Sequence, residues 1–174
     1  VYMGKEIAEE IGISEAKFRE IWNPTDEART LGKRTLEDVI EESLRVNNRY
    51  SRELLESIIT KRKRMYQTSF DPANIHSEII PMFQALKEQK IKVGLITNCY
   101  FEERDIIKNS VLFEYFDVIC MSCELSMKKP DTAIFERCLK DLGLEAQECL
   151  YVGDGGSLEL ETAQAVGMHS LQAA

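Results

Sequence analysis

From residue 1 to about residue 70, apolar positions recur about three to four residues apart, the spacing of helices with one buried face. Ile7, Ala8 and Ile11 form one stripe, stopped by Gly12. Ser14 can cap a helix that carries Phe18, Ile21 and Trp22, with Phe18 and Trp22 facing the core. Asn23-Pro24 predicts a break, and a short helix follows from Asp26 to Leu31 before Gly32. Thr35 and Asp38 have capping spacing ahead of Leu36, Val39, Ile40 and Leu44. After Asn47-Asn48 a long helix runs from Arg52 to about Gln67 through Leu54, Leu55, Ile58 and Ile59. Its run Lys61-Arg62-Lys63-Arg64 points around the whole helix and reads as solvated surface.

Phe70-Asp71-Pro72 marks a boundary, and beyond it helices and strands alternate. Ile79, Ile80, Met82, Phe83 and Leu86 make a helical stripe with Pro81 in its first turn. Strands are predicted at 91–96, 116–121, 149–152 and 168–173. Helices are predicted at 102–109, 131–142 and 157–166, the last capped by Ser157. This alternation implies an α/β fold built from parallel strand–helix–strand units with right-handed crossovers. The 174 residues suffice for one α/β domain, or for a small core with an accessory unit.

Composition narrows the partners. The net charge of -8 argues against a nucleic-acid surface. It leaves room for a phosphorylated small molecule, because a bound metal can invert the local sign. No apolar run approaches the roughly 18 residues of a membrane helix. The first ten residues are amphipathic and acidic, so no secretory leader is expected there. The 5 cysteines lie in or beside apolar segments, which predicts reduced, buried thiols and a cytoplasmic protein. Cys120 and Cys123 form a C-x-x-C without a second pair at zinc-ligand spacing. The pair follows a strand instead of opening a helix, so its thiols read as structural. His76 and His169 show no ligand spacing either.

Three stretches carry candidate chemistry, each just after a strand or in the loop beyond one. Thr97-Asn98 offers a hydroxyl and an amide to anionic oxygen. Lys129, beside Pro130, can offset phosphate or a developing anion. The run from Leu150 to Glu159 is a strand that ends at Gly153-Asp154, turns on glycine and enters a helix. It places Asp154 at the carboxyl edge of a sheet, where ligands of open α/β folds bind. Asp154 and Glu159 are then near enough to share a hard cation through oxygen ligands. Each stretch alone is ordinary: a strand-end turn, a surface lysine, a Gly-Asp-Gly turn. Their order along successive strands is far more specific.

Together they resemble the haloacid dehalogenase-like (HAD) hydrolase superfamily. Leu95-Ile-Thr-Asn98 looks like its second motif, Lys128-Lys129-Pro130 with the helix behind it like its third, and Tyr151-Val-Gly-Asp-Gly-Gly-Ser-Leu-Glu159, running on to Met168, like its fourth. The resemblance implies a Rossmann-like parallel sheet at 71–174 and, at 1–70, an N-terminal all-helical cap of the C1 type. It implies a Mg²⁺-dependent phosphatase acting on a small phosphorylated metabolite. Thr97 would bind a phosphoryl oxygen with support from Asn98, Lys129 would offset charge, and Asp154 would bind Mg²⁺ directly. Glu159 takes a second acidic position that is more often Asp, and its longer side chain suggests contact with the metal through water.

One family feature is missing. The first motif, an Asp-x-Asp that ends the first strand and supplies the nucleophile for an aspartyl-phosphate, occurs nowhere in the chain. In this fold that strand lies between those at 91–96 and 149–152. The chain is therefore expected to be a fragment of a longer enzyme, inactive by itself, with those two strands unpaired. Two other readings remain: a 2-haloacid dehalogenase, which needs no metal, and a non-catalytic phosphate-binding or regulatory protein. Substrate identity and oligomeric state are not legible.

Overall fold

A computed structural model describes residues 4–69 and 75–173; the boundary expected at Phe70-Asp71-Pro72 lies outside them. The first part is helical: α1 (Gly4–Ile11), α2 (Glu15–Trp22), α3 (Asp26–Thr30), α4 (Leu36–Val46) and α5 (Arg52–Ser69). Ser14 caps α2 by accepting the Lys17 N–H at 3.3 Å. Thr35 and Asp38 close a capping box on α4, with bonds of 3.1 and 2.7 Å. The break expected at Asn23-Pro24 is only a change of pitch. A 3₁₀ turn over Asn23–Thr25 leads straight into α3. Pro24 falls at the start of that turn, where a missing N–H costs no bond.

The stripes of these helices close a core of their own, in which Ile11, Phe18, Val39, Ile40 and Leu44 are fully buried. Two arginines join it. Arg62 departs from the solvated reading of the basic run: it is buried, whereas Lys61, Lys63 and Arg64 are exposed. Ile58, Arg62 and Tyr66 recur four apart on one helix face, and the Arg62 guanidinium donates to the Tyr66 hydroxyl at 2.7 Å. Arg29 lies with its guanidinium 3.8 Å from the Trp22 ring and 4.1 Å from that of Tyr100. Its Nε donates to Thr25 Oγ1 at 3.1 Å. Its terminal nitrogens have no hydrogen-bond partner among the described residues; Nη2 pairs with Asp26 at 3.7 Å, and the two aromatic rings also attract the charge.

The second part follows the expected alternation: α6 (Ile79–Glu88), β1 (Gly94–Thr97), α7 (Phe101–Lys108), β2 (Val118–Met121), α8 (Ser122–Leu125), α9 (Thr132–Leu142), β3 (Leu150–Gly153), α10 (Glu159–Val166) and β4 (His169–Gln172). β1 starts later than its apolar run suggests, because the Ile91 N–H closes the end of α6 onto Leu86 O at 3.0 Å. The single turn of α8 is too short to show periodicity. β1 pairs in parallel with β2, Gly94 opposite Val118. β3 pairs in parallel with β4, Leu150 opposite His169. Among the described residues β1 and β3 do not pair with each other, so the strands form two separate ribbons. α9 and α10 cover one face over a core of Cys120, Ile134, Phe135, Tyr151 and Ala163. On β3 and β4 the alternate residues Leu150, Val152 and Leu171 are more than half exposed.

The helical core generates a stability prediction. Ile40→Ala is expected to cost about 2–5 kcal/mol through the cavity it leaves, and Thr35→Ala about 1 kcal/mol through the lost cap. Chemical denaturation should show the larger midpoint shift for Ile40→Ala.

Candidate active site

β1 ends at Thr97, which is half-buried and pairs with Met121 of β2. The next residue, Asn98, clamps the loop that follows β2. Its Nδ2 donates to the Lys129 carbonyl at 2.9 Å, and its Oδ1 accepts the Lys129 N–H at 2.8 Å. Both ends of the amide are thus engaged by one backbone unit. The Lys129-Pro130 peptide bond is cis. Immediately beyond it Asp131 caps α9, accepting the Ala133 N–H at 3.0 Å. Lys129 is therefore held from both sides by strand-end and helix-start chemistry.

The Lys129 ammonium forms an ion pair with the Glu159 carboxylate and donates to the Tyr151 hydroxyl at 3.1 Å. That hydroxyl donates to Glu159 Oε2 at 2.8 Å. The Gly155 N–H reaches Glu159 Oε1 at 3.3 Å. Glu159 is only 3% exposed. Burial pushes its carboxyl up, but the hydrogen bonds from Lys129 and Tyr151 outweigh that and leave it below its ordinary value. Burial and the Glu159 charge raise the Tyr151 phenol, keeping it a donor. Gly153 makes the arrangement possible, since a Cβ there would lie 2.1 Å from Glu159 Oε1.

Asp154 sits in the turn after β3. It is exposed, and its Oδ1 accepts the Gly156 N–H at 2.7 Å. Ser157 does not cap α10 as expected. Ser157 and Leu158 both take left-handed backbone angles, φ 55° and 52°, and the helix starts at Glu159 without a side-chain cap. Asp154 and Glu159 thus share one joint, as expected, but not one task. The Glu159 oxygens are engaged by Lys129, Tyr151 and the Gly155 amide, whereas Asp154 keeps a carboxylate oxygen free of hydrogen bonds within the described residues. No three His, Cys, Asp or Glu side chains among the described residues gather around a possible metal position.

A cleft of about 510 Å³ opens where the helical part meets the carboxyl ends of β1 and β2. Asn98, Lys128 and Lys129 line one wall, and Asp26 and Thr30 of α3 line the other. The walls are tied together: the Tyr100 hydroxyl donates to Asp26, Lys128 pairs with Glu27 at 3.4 Å, and Ser126 Oγ donates to Leu31 O at 3.0 Å. The structure therefore brings Asn98, Lys129 and Glu159 into direct contact. The side chains of Thr97 and Asp154 make no hydrogen bond to that group among the described residues. Sequence reasoning missed Tyr151, which reads as one more apolar strand residue. It also missed Asp26 and Thr30, which sit on an unremarkable short helix.

A family model described as haloacid dehalogenase-like hydrolase matches residues 7–173. The Rhythmically expressed gene 2 protein of Drosophila melanogaster is 33% identical over 114 residues, 61% of this chain and 43% of that protein. A glyceraldehyde 3-phosphate phosphatase of Methanopyrus kandleri is 25% identical over 104 residues, 59% of this chain and 45% of the relative. The chain thus spans less than half the length of these curated relatives. Among solved structures, the magnesium complex of a HAD family enzyme from Bacteroides thetaiotaomicron superposes with a TM-score of 0.70 at 19% identity, covering 98% of this chain and 83% of that one. A HAD phosphatase from Thermococcus onnurineus gives 0.65 at 23% identity, covering 98% and 74%. At these identities the superpositions establish a common fold.

The buried pair generates a pH prediction. The Glu159 carboxyl lies lower in the folded chain than its ordinary value of 4.5, so its contribution is complete above about pH 4.5 and is lost as pH falls through the folded value. Glu159→Gln leaves Lys129 without its counter-charge and is expected to cost about 3–5 kcal/mol at neutral pH. The variant and the parent should converge only as pH falls below the folded value, which lies under 4.5. Denaturant titrations at neutral and acid pH measure both effects.

Proposed function

The chain belongs to the haloacid dehalogenase-like hydrolase family, and from that premise we propose that it carries the phosphate-binding half of a Mg²⁺-dependent phosphomonoesterase for a small phosphorylated metabolite. The observation behind this reading is the chain of contacts from Asn98 to Lys129 and from Lys129 to Glu159, made by the segments that follow β1, β2 and β3. In this reading residues 1–70 are a helical cap and 71–174 the catalytic core, with the cleft between them holding the substrate. Glyceraldehyde 3-phosphate phosphatases among the relatives favour phosphate-ester chemistry.

Each residue then has a task. Thr97 gives its hydroxyl to a phosphoryl oxygen. Asn98 holds the Lys129 loop at its set height. Lys129 offsets charge on the transferring group, and in phosphoryl transfer such positioning and charge compensation are the protein's main contribution. Glu159 and Tyr151 aim the ammonium. Asp154 is the residue whose free, exposed carboxylate oxygen fits a hard cation; Mg²⁺ there would draw charge from the phosphoryl oxygens. Glu159 fits direct ligation poorly, since its oxygens already accept three hydrogen bonds. The nucleophile belongs to an Asp-x-Asp strand lying between β1 and β3. β1 and β3 each pair on one side only among the described residues, and such a strand would satisfy the backbone groups of their other edges.

The full-length protein with its Asp-x-Asp segment is expected to hydrolyse p-nitrophenyl phosphate with added Mg²⁺ and to stop with EDTA. Asp154→Ala and Lys129→Ala should each lower kcat by about a hundredfold or more. Residues 1–174 alone should show no turnover. Activity on a 2-haloacid that survives EDTA would instead identify a dehalogenase, and phosphate binding without turnover by the full-length protein would identify a binding protein.

A further inference from the structure

The four buried cysteines do not associate as their spacing suggests. Cys120 and Cys123 share a C-x-x-C, yet each turns to a different partner. Cys120, inside β2, faces Cys138 of α9. Cys123, in the first turn of α8, faces Cys99, with the two sulfurs 3.8 Å apart and in hydrogen-bond contact. Cys99 and Cys123 each lie two residues beyond the last β1–β2 pair, Thr97 and Met121, the first in the loop after β1 and the second in α8. A second contact holds the two backbones in step: Ser122 Oγ accepts the Cys99 N–H at 2.9 Å and donates to the Cys99 carbonyl at 3.2 Å.

We propose that Cys99 and Cys123 form a reversible disulfide, a modification site that links the oxidation state of the chain to the geometry of its cleft. Peroxide is the two-electron oxidant. The Cys123 thiolate attacks one peroxide oxygen; the O–O bond breaks, an S–O bond forms, and hydroxide leaves, taking up a proton as water. The Cys99 sulfur then attacks the resulting sulfenic sulfur, the S–O bond breaks, and a second water leaves. Two thiols and one peroxide give one disulfide and two waters. Both cysteines are 3% exposed, so the oxidant must be as small as peroxide.

The link to the cleft is mechanical. Asn98, adjacent to Cys99, holds the Lys129 backbone by two hydrogen bonds. On the other side the Cys123 carbonyl lies against Gly32 of the helical part, where a Cβ would come within 1.9 Å of it. Bond formation draws the two sulfurs together from contact distance. The strand-end segment and α8 must follow, and with them the Asn98–Lys129 clamp and the Gly32 contact.

The test uses the 174-residue chain and hydrogen peroxide. The oxidised protein should be about 2 Da lighter. Its reactive thiols under denaturing conditions should fall by two from the 5 in the sequence, and dithiothreitol should restore them. Peptide mapping should join the peptides of Cys99 and Cys123. Cys99→Ala and Cys123→Ala should each abolish the mass loss while keeping the parent's circular dichroism, and Cys138→Ala should leave it intact. A disulfide mapped to Cys120–Cys138, or oxidation that stops at a sulfinic acid on one cysteine, overturns the proposal. If both single variants fail to fold, peptide mapping of the oxidised parent decides alone.

Discussion

A lysine ammonium held on a buried carboxylate at the edge of a sheet is the constraint around which this molecule is arranged. Lys129 and Glu159 come from different strand–helix units, and neither charge is well placed in water. Burying such a pair is costly unless the remaining lone pairs and protons are also satisfied. Tyr151 and the Gly155 amide do that work. The pair explains Gly153, whose missing side chain is the space for the carboxylate. It also explains why Asn98 devotes its whole amide to the Lys129 backbone. A lysine that must sit still needs its main chain fixed as well as its head.

The helical part is coupled to this arrangement through polar contacts at the mouth of the cleft. Arg29 is the most fully embedded of these, with one face of its guanidinium against Trp22 of its own segment and the other against Tyr100 of the sheet part. Tyr100 in turn donates to Asp26, and Ser126 to the Leu31 carbonyl. Because α3 carries both the anchoring arginine and the cleft-lining Asp26 and Thr30, the packing that joins the two parts also sets the wall opposite Lys129. One short helix thus lines the cleft and anchors the helical part, and a change in either is felt by the other.

Much of the architecture was legible because local rules were not contested. The stripes of Ile7 and Ile11 and of Val39, Ile40 and Leu44 became buried helix faces at the expected positions, and a helix formed over nearly all of 131–142. Ser14 and Thr35 capped as their types predict. The misreadings arose where a residue answered to a distant partner. Arg62 looked like one member of a solvated basic run, but Tyr66 and Trp22 drew it inward. Ser157 looked like a cap, but the turn that brings Glu159 to Lys129 drives Ser157 and Leu158 into left-handed angles.

The sequence by itself determined the order and type of most elements, the family, and the placement of Thr97, Asn98, Lys129, Asp154 and Glu159 at strand ends or in the segments beyond them, because periodicity, caps and motif spacing are local properties of the chain. The tertiary structure alone decided what these residues touch. It separated Asp154, with its free oxygen, from Glu159, committed to lysine. It recruited Tyr151 and Arg29, and it divided the C-x-x-C between two partners. Those outcomes depend on which side chains from distant segments meet in a dry interior, where an unpaired charge or donor is too costly to leave alone.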